Sequence, residues 1–130
     1  MFTISKEFSF CASHSLDGLP IGHLCSRTHG HNYIVIVEFQ SSHLNEVGFV
    51  LDYREMAPIK EYIDKELDHK HLNEALPIHK ESAMGFVNPT AELIAEYLFH
   101  AFNTLFTLPY RISAVIVKET PKTMARYEPK

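Results

Sequence analysis

Seven residues, Cys25-Ser26-Arg27-Thr28-His29-Gly30-His31, run without a break into Asn32-Tyr33-Ile34-Val35-Ile36-Val37-Glu38-Phe39. The second run is rich in β-branched and aromatic residues and predicts a strand over 31–40. Side chains two residues apart on a strand share a face, so His29 and His31 project together, with Gly30 on the other side. Two imidazoles at that spacing are a ready pair of zinc ligands. Two polar residues in a turn before a strand would look the same, and a third ligand decides between the readings.

The third ligand comes from the first strand. Over residues 2–14, Phe2, Ile4, Phe8, Phe10 and Ala12 fall on one face and Thr3, Ser5, Glu7, Ser9 and Ser13 on the other, with Lys6 and Cys11 breaking the pattern. This alternation predicts a half-buried strand that carries His14 on its apolar face. A linker with Gly18, Pro20 and Gly22 leads on to the cysteine stretch. If the two strands pair antiparallel, the end of the first lies beside the start of the second, and His14 comes within reach of His29 and His31. Three histidines leave one zinc position open, as catalytic rather than structural sites do. A strand-end histidine bonded to a backbone carbonyl is the plainer reading of His14.

Strand 31–40 is apolar on both faces and expects cover on both sides. A loop over 41–51 precedes a helix in which Met56, Ile59, Ile63 and Leu67 form the stripe. Asp52 and Glu55 have capping-box spacing. Pro58 is too deep for a helix starting at Tyr53, so either the regular helix begins nearer Pro58 or its first turn is distorted. Residues 68–73 end this element, and 74–87 read as an irregular loop. A second helix opens at Asn88-Pro89 as N-cap and first residue, with Thr90 as a rival cap. Its expected buried stripe is Leu93, Ile94, Tyr97, Leu98, Ala101 and Leu105, and Pro109 closes it. A strand over 111–119, a turn at 120–123 and a short strand around 124–127 complete the chain. The order ββααββ is an α+β pattern: a four-stranded, mainly antiparallel sheet with two helices on one face. The opposite face of strands 31–40 and 111–119 is too apolar for water, so a partner chain is expected to cover it.

Composition bounds the function. With 130 residues, 45% of them hydrophobic, the chain is long enough for one domain spanning 1–130 with a real core. A net charge of −4, with no run of Lys or Arg, argues against a nucleic-acid partner. No apolar run approaches the ~20 residues that span a membrane. The N-terminus is strand-like, with no basic or apolar leader region. A cytoplasmic protein is expected, with Cys11 and Cys25 as free thiols.

Of nine histidines, His23, His43, His79 and His100 read as surface or packing residues. Cys25 has three readings: a base or nucleophile activated by a nearby cation or metal, a fourth zinc ligand, or a small buried hydrophobe. Asp68-His69 is either an oriented acid–base pair or a helix end with a dipole-favoured histidine. Glu119, ending an apolar strand, is a solvated edge residue or a ligand anchor.

These blocks together carry a resemblance. Phe10-Cys11-Ala12-Ser13-His14, Cys25 to His31 as quoted, Leu67-Asp68-His69, Asn88-Pro89-Thr90-Ala91-Glu92 and Lys118-Glu119-Thr120 resemble the 6-pyruvoyltetrahydropterin synthase family. The match is closer to its bacterial branch, the 6-carboxy-5,6,7,8-tetrahydropterin synthases of queuosine biosynthesis, and runs in order over nearly the whole chain. The resemblance implies a tunnelling fold assembled into a barrel-like homo-oligomer, commonly a hexamer. It implies a zinc-dependent lyase acting on 7,8-dihydroneopterin triphosphate and releasing triphosphate and, in the carboxy branch, acetaldehyde. It further implies zinc on His14, His29 and His31, Cys25 as general base, Asp68 and His69 completing a catalytic relay, and substrate binding by Glu119 and Thr90. Arg27, Lys80 and Lys122 are candidate cations for the triphosphate. The long segment 74–87 departs from the family pattern and bears on the pocket rim.

Overall fold

The first two strands, β1 (Phe2–His14) and β2 (His29–Ser41), alternate in burial along their paired halves, and their pairing sets the frame for everything else. The chain is described here by a computed structural model over residues 1–78 and 88–130. β1 and β2 run antiparallel in unbroken register from Phe2 opposite Ser41 to His14 opposite His29. Phe8, Phe10, Ala12 and His14 turn inward from β1, and Tyr33, Val35, Val37 and Phe39 from β2. β2 begins at His29 rather than 31, so the first histidine of the His-Gly-His stretch belongs to the ladder.

Asp52 caps a 3-10 turn, Tyr53–Met56, by accepting the Arg54 N–H at 2.9 Å. The regular helix α1 follows at Ala57–Glu66 with Pro58 in its first turn, where a missing N–H costs nothing. Both sequence alternatives for this helix are therefore realised. After it come β3 (Lys70–His71) and the single turn α2 (Leu72–Ala75), which begins before the loop expected from residue 74. Helix α3 (Ala91–Asn103), β4 (Ile112–Thr120) and β5 (Thr123–Tyr127) complete the order. The sheet runs β3-β1-β2-β4-β5. The expected four antiparallel strands are present, and the two-residue β3 adds a fifth, parallel to β1 along its free edge. Met56, Ile59, Ile63 and Leu67 from the first helical segment and Ile94, Leu98 and Phe102 from α3 join the inward side chains of the sheet in one core.

The α3 expectations need three corrections. Its buried face is Ile94, Ala95, Leu98, Phe99 and Phe102, while Leu93, Tyr97, Ala101 and Leu105 are only half-buried. The helix is apolar around most of its circumference, so several stripes fit the sequence equally well. Its N-cap is Thr90, not Asn88. It ends at Asn103, well before Pro109.

On the far face of the sheet Ile34 and Ile36 are half-buried beside Ile116. A Glu38–Arg126 ion pair at 3.0 Å borders them. The apolar patch is thus real but framed by charge. His79, Lys80 and the rest of 79–87 lie outside the described residues. Among the described residues no helix is long and apolar enough to cross a membrane.

Candidate metal centre and the groups around it

The β1–β2 register delivers His14 opposite His29 and Ala12 opposite His31. Because β1 alternates and β2 alternates, all three imidazoles converge on the inner face at the open end of the sheet. His14 is 1% exposed. Its Nδ1 donates to the Pro89 carbonyl at 2.8 Å, and His29 Nδ1 donates to the Arg27 carbonyl at 2.7 Å. A carbonyl only accepts, so each Nδ1 carries the proton and each Nε2 presents a lone pair. Those two Nε2 atoms face each other at 2.9 Å. Two lone pairs at that distance repel unless a proton or a metal ion is shared between them. The third imidazole fits the same requirement: His31 Nε2 is buried and has no hydrogen-bond partner.

The ligand atoms of His14, His29 and His31 all lie within 4.8 Å of one another. Burial pushes the His14 pKa down, against the opposing pull of the Pro89 carbonyl and the Glu119 charge, and so favours the neutral form a metal needs. Carbonyl bonds to the distal ring nitrogens fix tautomer and orientation, as partners of metal-bound histidines do. The three can hold a metal ion, and three imidazoles suit zinc, copper, iron or nickel. Among the described residues no thiol or carboxylate joins this set, which leaves a coordination position open.

Glu119 approaches the cluster from β4. Its carboxylate is 3.9 Å from His31 Nε2 and its side chain is 26% exposed. It is therefore not a freely solvated strand end. A cleft of about 460 Å³ passes over Ser9, His31, Asn32, Lys118 and Glu119. A second, of about 600 Å³, is lined by Cys11, Ser13, Asn32, His69 and His71 and shares Gly30, His31 and Asn32 with the first.

Asp68 and His69 sit on the turn after α1, with His69 in the left-handed backbone region at φ near +60°. They form a true pair: His69 Nδ1 lies 2.9 Å from Asp68 Oδ2. The other carboxylate oxygen accepts the Cys11 N–H at 2.9 Å, and the His69 N–H donates to the Cys11 carbonyl at 2.6 Å. The Cys11 N–H first, and then His69, hold the Asp68 carboxyl below the usual carboxylate range. With Nδ1 committed to Asp68, the far side of the imidazole is free to exchange a proton, and the side chain is 81% exposed. The pair directly follows the C-terminal end of α1, whose last carbonyl bonds run from Leu67 and Asp68 to Ile63.

Cys25 lies in a 3-10 turn, Leu24–Ser26, and is half-buried. Its N–H donates to His23 Nδ1 at 3.0 Å and its carbonyl accepts the Leu16 N–H at 2.9 Å. Among the described residues no hydrogen bond joins Cys25 to Asp68 or His69. Thr90 Oγ1 accepts the Leu93 N–H at 3.3 Å as the α3 cap. Asn88 binds the backbone of Asp17 through both ends of its amide, at 2.8 and 2.9 Å. Arg27 and Lys122 are exposed.

Two contributors escaped the sequence reading. Cys11 supplies the backbone that holds the Asp68–His69 pair, and its only sequence mark was its break in the strand alternation. His23, read as a surface residue, caps the turn that carries Cys25; its signal was its position two residues before that thiol.

Comparison with known proteins bears on the family and the fold. The family model described as 6-pyruvoyl tetrahydropterin synthase matches residues 3–130. A 6-carboxy-5,6,7,8-tetrahydropterin synthase of Haemophilus influenzae is 34% identical, over 98% of this chain and 99% of its own length. The protein of the same name from Synechocystis is 33% identical, over 98% of this chain and 93% of its own. The solved 6-pyruvoyl tetrahydropterin synthase of Caenorhabditis elegans superposes with a TM-score of 0.82 over 99% of this chain and 96% of its own, at 23% identity, a likeness of fold. On the strength of a match that spans nearly the whole sequence, the chain belongs to the 6-pyruvoyl tetrahydropterin synthase family.

Proposed function

We propose that this protein is a zinc-dependent lyase that converts 7,8-dihydroneopterin triphosphate and one water to 6-carboxy-5,6,7,8-tetrahydropterin, releasing triphosphate and acetaldehyde, in the cytoplasm. The observation that carries the reading is the pair of His14 and His29 lone pairs facing each other at 2.9 Å beside the orphaned His31 Nε2. The carboxy product is supported by the names of the Haemophilus influenzae and Synechocystis relatives.

Zinc, when bound to His14, His29 and His31, supplies Lewis acidity toward the hydroxyls of the substrate side chain and so acidifies the adjacent C–H. Glu119 accepts the ring N–H and the neighbouring amino group of the pterin, a two-point contact that one carboxylate makes well. The α3 start at Thr90 borders the pterin. Cys25, as thiolate, removes the acidified proton. His69, oriented by Asp68, passes protons to and from that thiol. In this reading Cys25 and the Asp68–His69 pair meet across a boundary between two copies in a homo-oligomer, of hexameric size. The apolar centre of the outer sheet face, Ile34, Ile36 and Ile116, supports such an assembly.

A second reading, pyruvoyl formation, is suggested by the name of a Caenorhabditis elegans relative, a putative 6-pyruvoyl tetrahydrobiopterin synthase 24% identical over 97% of this chain. Incubating the zinc-loaded protein with 7,8-dihydroneopterin triphosphate separates the two. Triphosphate with acetaldehyde supports the carboxy reaction, triphosphate with a pyruvoyl pterin moves the protein to the other branch, and tight binding without turnover makes it a binding module.

A further inference from the structure

Among the described residues two buried side-chain polar atoms have no hydrogen-bond partner, His31 Nε2 and the Tyr33 hydroxyl oxygen. A buried unpaired polar group costs stability, so each calls for an explanation. Both side chains project inward from β2, with ring centroids 5.4 Å apart. A metal ion answers for His31. Nothing in the metal set answers for Tyr33.

Glu119 is the neighbour the two share. Its carboxylate stands 3.9 Å from His31 Nε2, and among the described residues no hydrogen bond holds it. The β2–β4 ladder ends at Ile34 opposite Lys118, the sequence neighbours of Tyr33 and Glu119, and His31, Tyr33 and Glu119 line one cleft. The Tyr33 ring is fixed: it is 0% exposed, stacked on Phe10 at 5.0 Å and 11°, with His14 edge-on at 6.0 Å. The phenol can therefore be used only where it already lies. An acceptor-only carboxylate without a donor and a phenol without an acceptor thus belong to the lining of the same cleft.

We propose that Tyr33 is a positioning residue whose hydroxyl donates to the Glu119 carboxylate in the metal-loaded chain. A metal would take the His31 lone pair, while the Glu119 carboxylate, held by no donor, would be available to the phenol. Each carboxylate oxygen has two lone pairs, so one bond from Tyr33 fixes the group and still leaves room for two parallel N–H donors of a ligand. The ligand part of this inference rests on the reading of Glu119 as the pterin anchor, whereas the Tyr33–Glu119 contact does not.

The test is Tyr33→Phe, made alone and combined with Glu119→Ala. Without metal, Tyr33→Phe should melt at the parent temperature or above it, since an orphaned hydroxyl has been removed. Both proteins should take up one zinc, and the parent should gain more in melting temperature from it. An equal gain, or a parent that takes up no zinc, overturns the proposal. With neopterin as probe, Tyr33→Phe should weaken binding about tenfold, in line with losing one hydrogen bond to a charged group. Added to Glu119→Ala it should weaken binding no further, because the hydroxyl acts through the carboxylate. Losses that multiply, or unchanged affinity in Tyr33→Phe, overturn the proposal and leave the pterin reading standing. A parent that does not bind neopterin overturns the pterin reading, and the difference in zinc gain still decides the Tyr33–Glu119 contact.

Discussion

The three-histidine cluster and the Asp68–His69 pair are both imidazole sites built against β1, yet they are held in opposite ways. In the cluster, strand register aims each ring, His14 is buried, and the Nδ1–H groups of His14 and His29 are tied to backbone carbonyls. The pair sits on a turn, with His69 in a left-handed conformation and largely exposed, and it hangs from the backbone of Cys11. A metal site needs neutral ligands that converge without adjustment, and burial in a sheet supplies that. A proton-transfer group needs an oriented tautomer and a free face, and a turn with one carboxylate behind the ring supplies those. The first site is complete within a chain, and the second is open toward whatever approaches it.

That contrast can be broken at several points. The largest effect should come from stripping the metal. Chelation should lower turnover on the order of a thousandfold or more, with recovery on adding zinc, because Lewis-acid stabilisation contributes several kcal/mol. Turnover that survives complete removal would assign the chemistry to the turn site alone. Cys25→Ala should keep zinc and pterin binding and lose about 10²- to 10⁴-fold in turnover, the range for a general base. Loss of zinc as well would make Cys25 a ligand. Mixing inactive Cys25→Ala and His69→Ala chains should restore part of the activity if thiol and imidazole come from different copies, and no recovery would place them in the same one.

Glu119→Gln should weaken binding of a non-reactive pterin roughly 30- to 1,000-fold and leave zinc content alone, since a charged two-point acceptor becomes one acceptor and one clashing donor. Equal affinity would mean that another carboxylate reads the ring. The smallest effect concerns Asp68. Its folded pKa is depressed, so its contribution to stability is present above the ordinary aspartate value near pH ~4 and is lost as pH falls through the folded value. The parent melting temperature should fall more steeply below about pH 4 than that of Asp68→Asn. Identical acid limbs would mean that the Cys11 N–H and His69 do not load this carboxylate.

The histidine cluster was legible in the sequence because it depends on period-two alternation alone: once β1 and β2 pair antiparallel, His14, His29 and His31 have nowhere else to go. The α3 face was not legible, because Leu93, Ile94, Leu98, Phe99, Phe102 and Leu105 wrap the helix with apolar side chains and periodicity cannot choose among stripes. Asn88 has the chemistry of an N-cap, yet its amide serves Asp17 equally well, and only tertiary contact decides. The holding of Asp68 and His69 by Cys11 runs through backbone N–H and C=O, which every non-proline residue carries, so no residue type could announce it. Glu119 read as a strand end because burial by neighbours from β2 is invisible in its own strand.

The central claim, that β1–β2 register builds a metal centre, is tested most directly by elemental analysis of the purified parent and of His31→Ala. The account predicts one zinc per chain in the parent and a large loss of zinc in His31→Ala, with the sheet still folded. Undiminished zinc in His31→Ala, or a parent that carries none and takes up none, would contradict it.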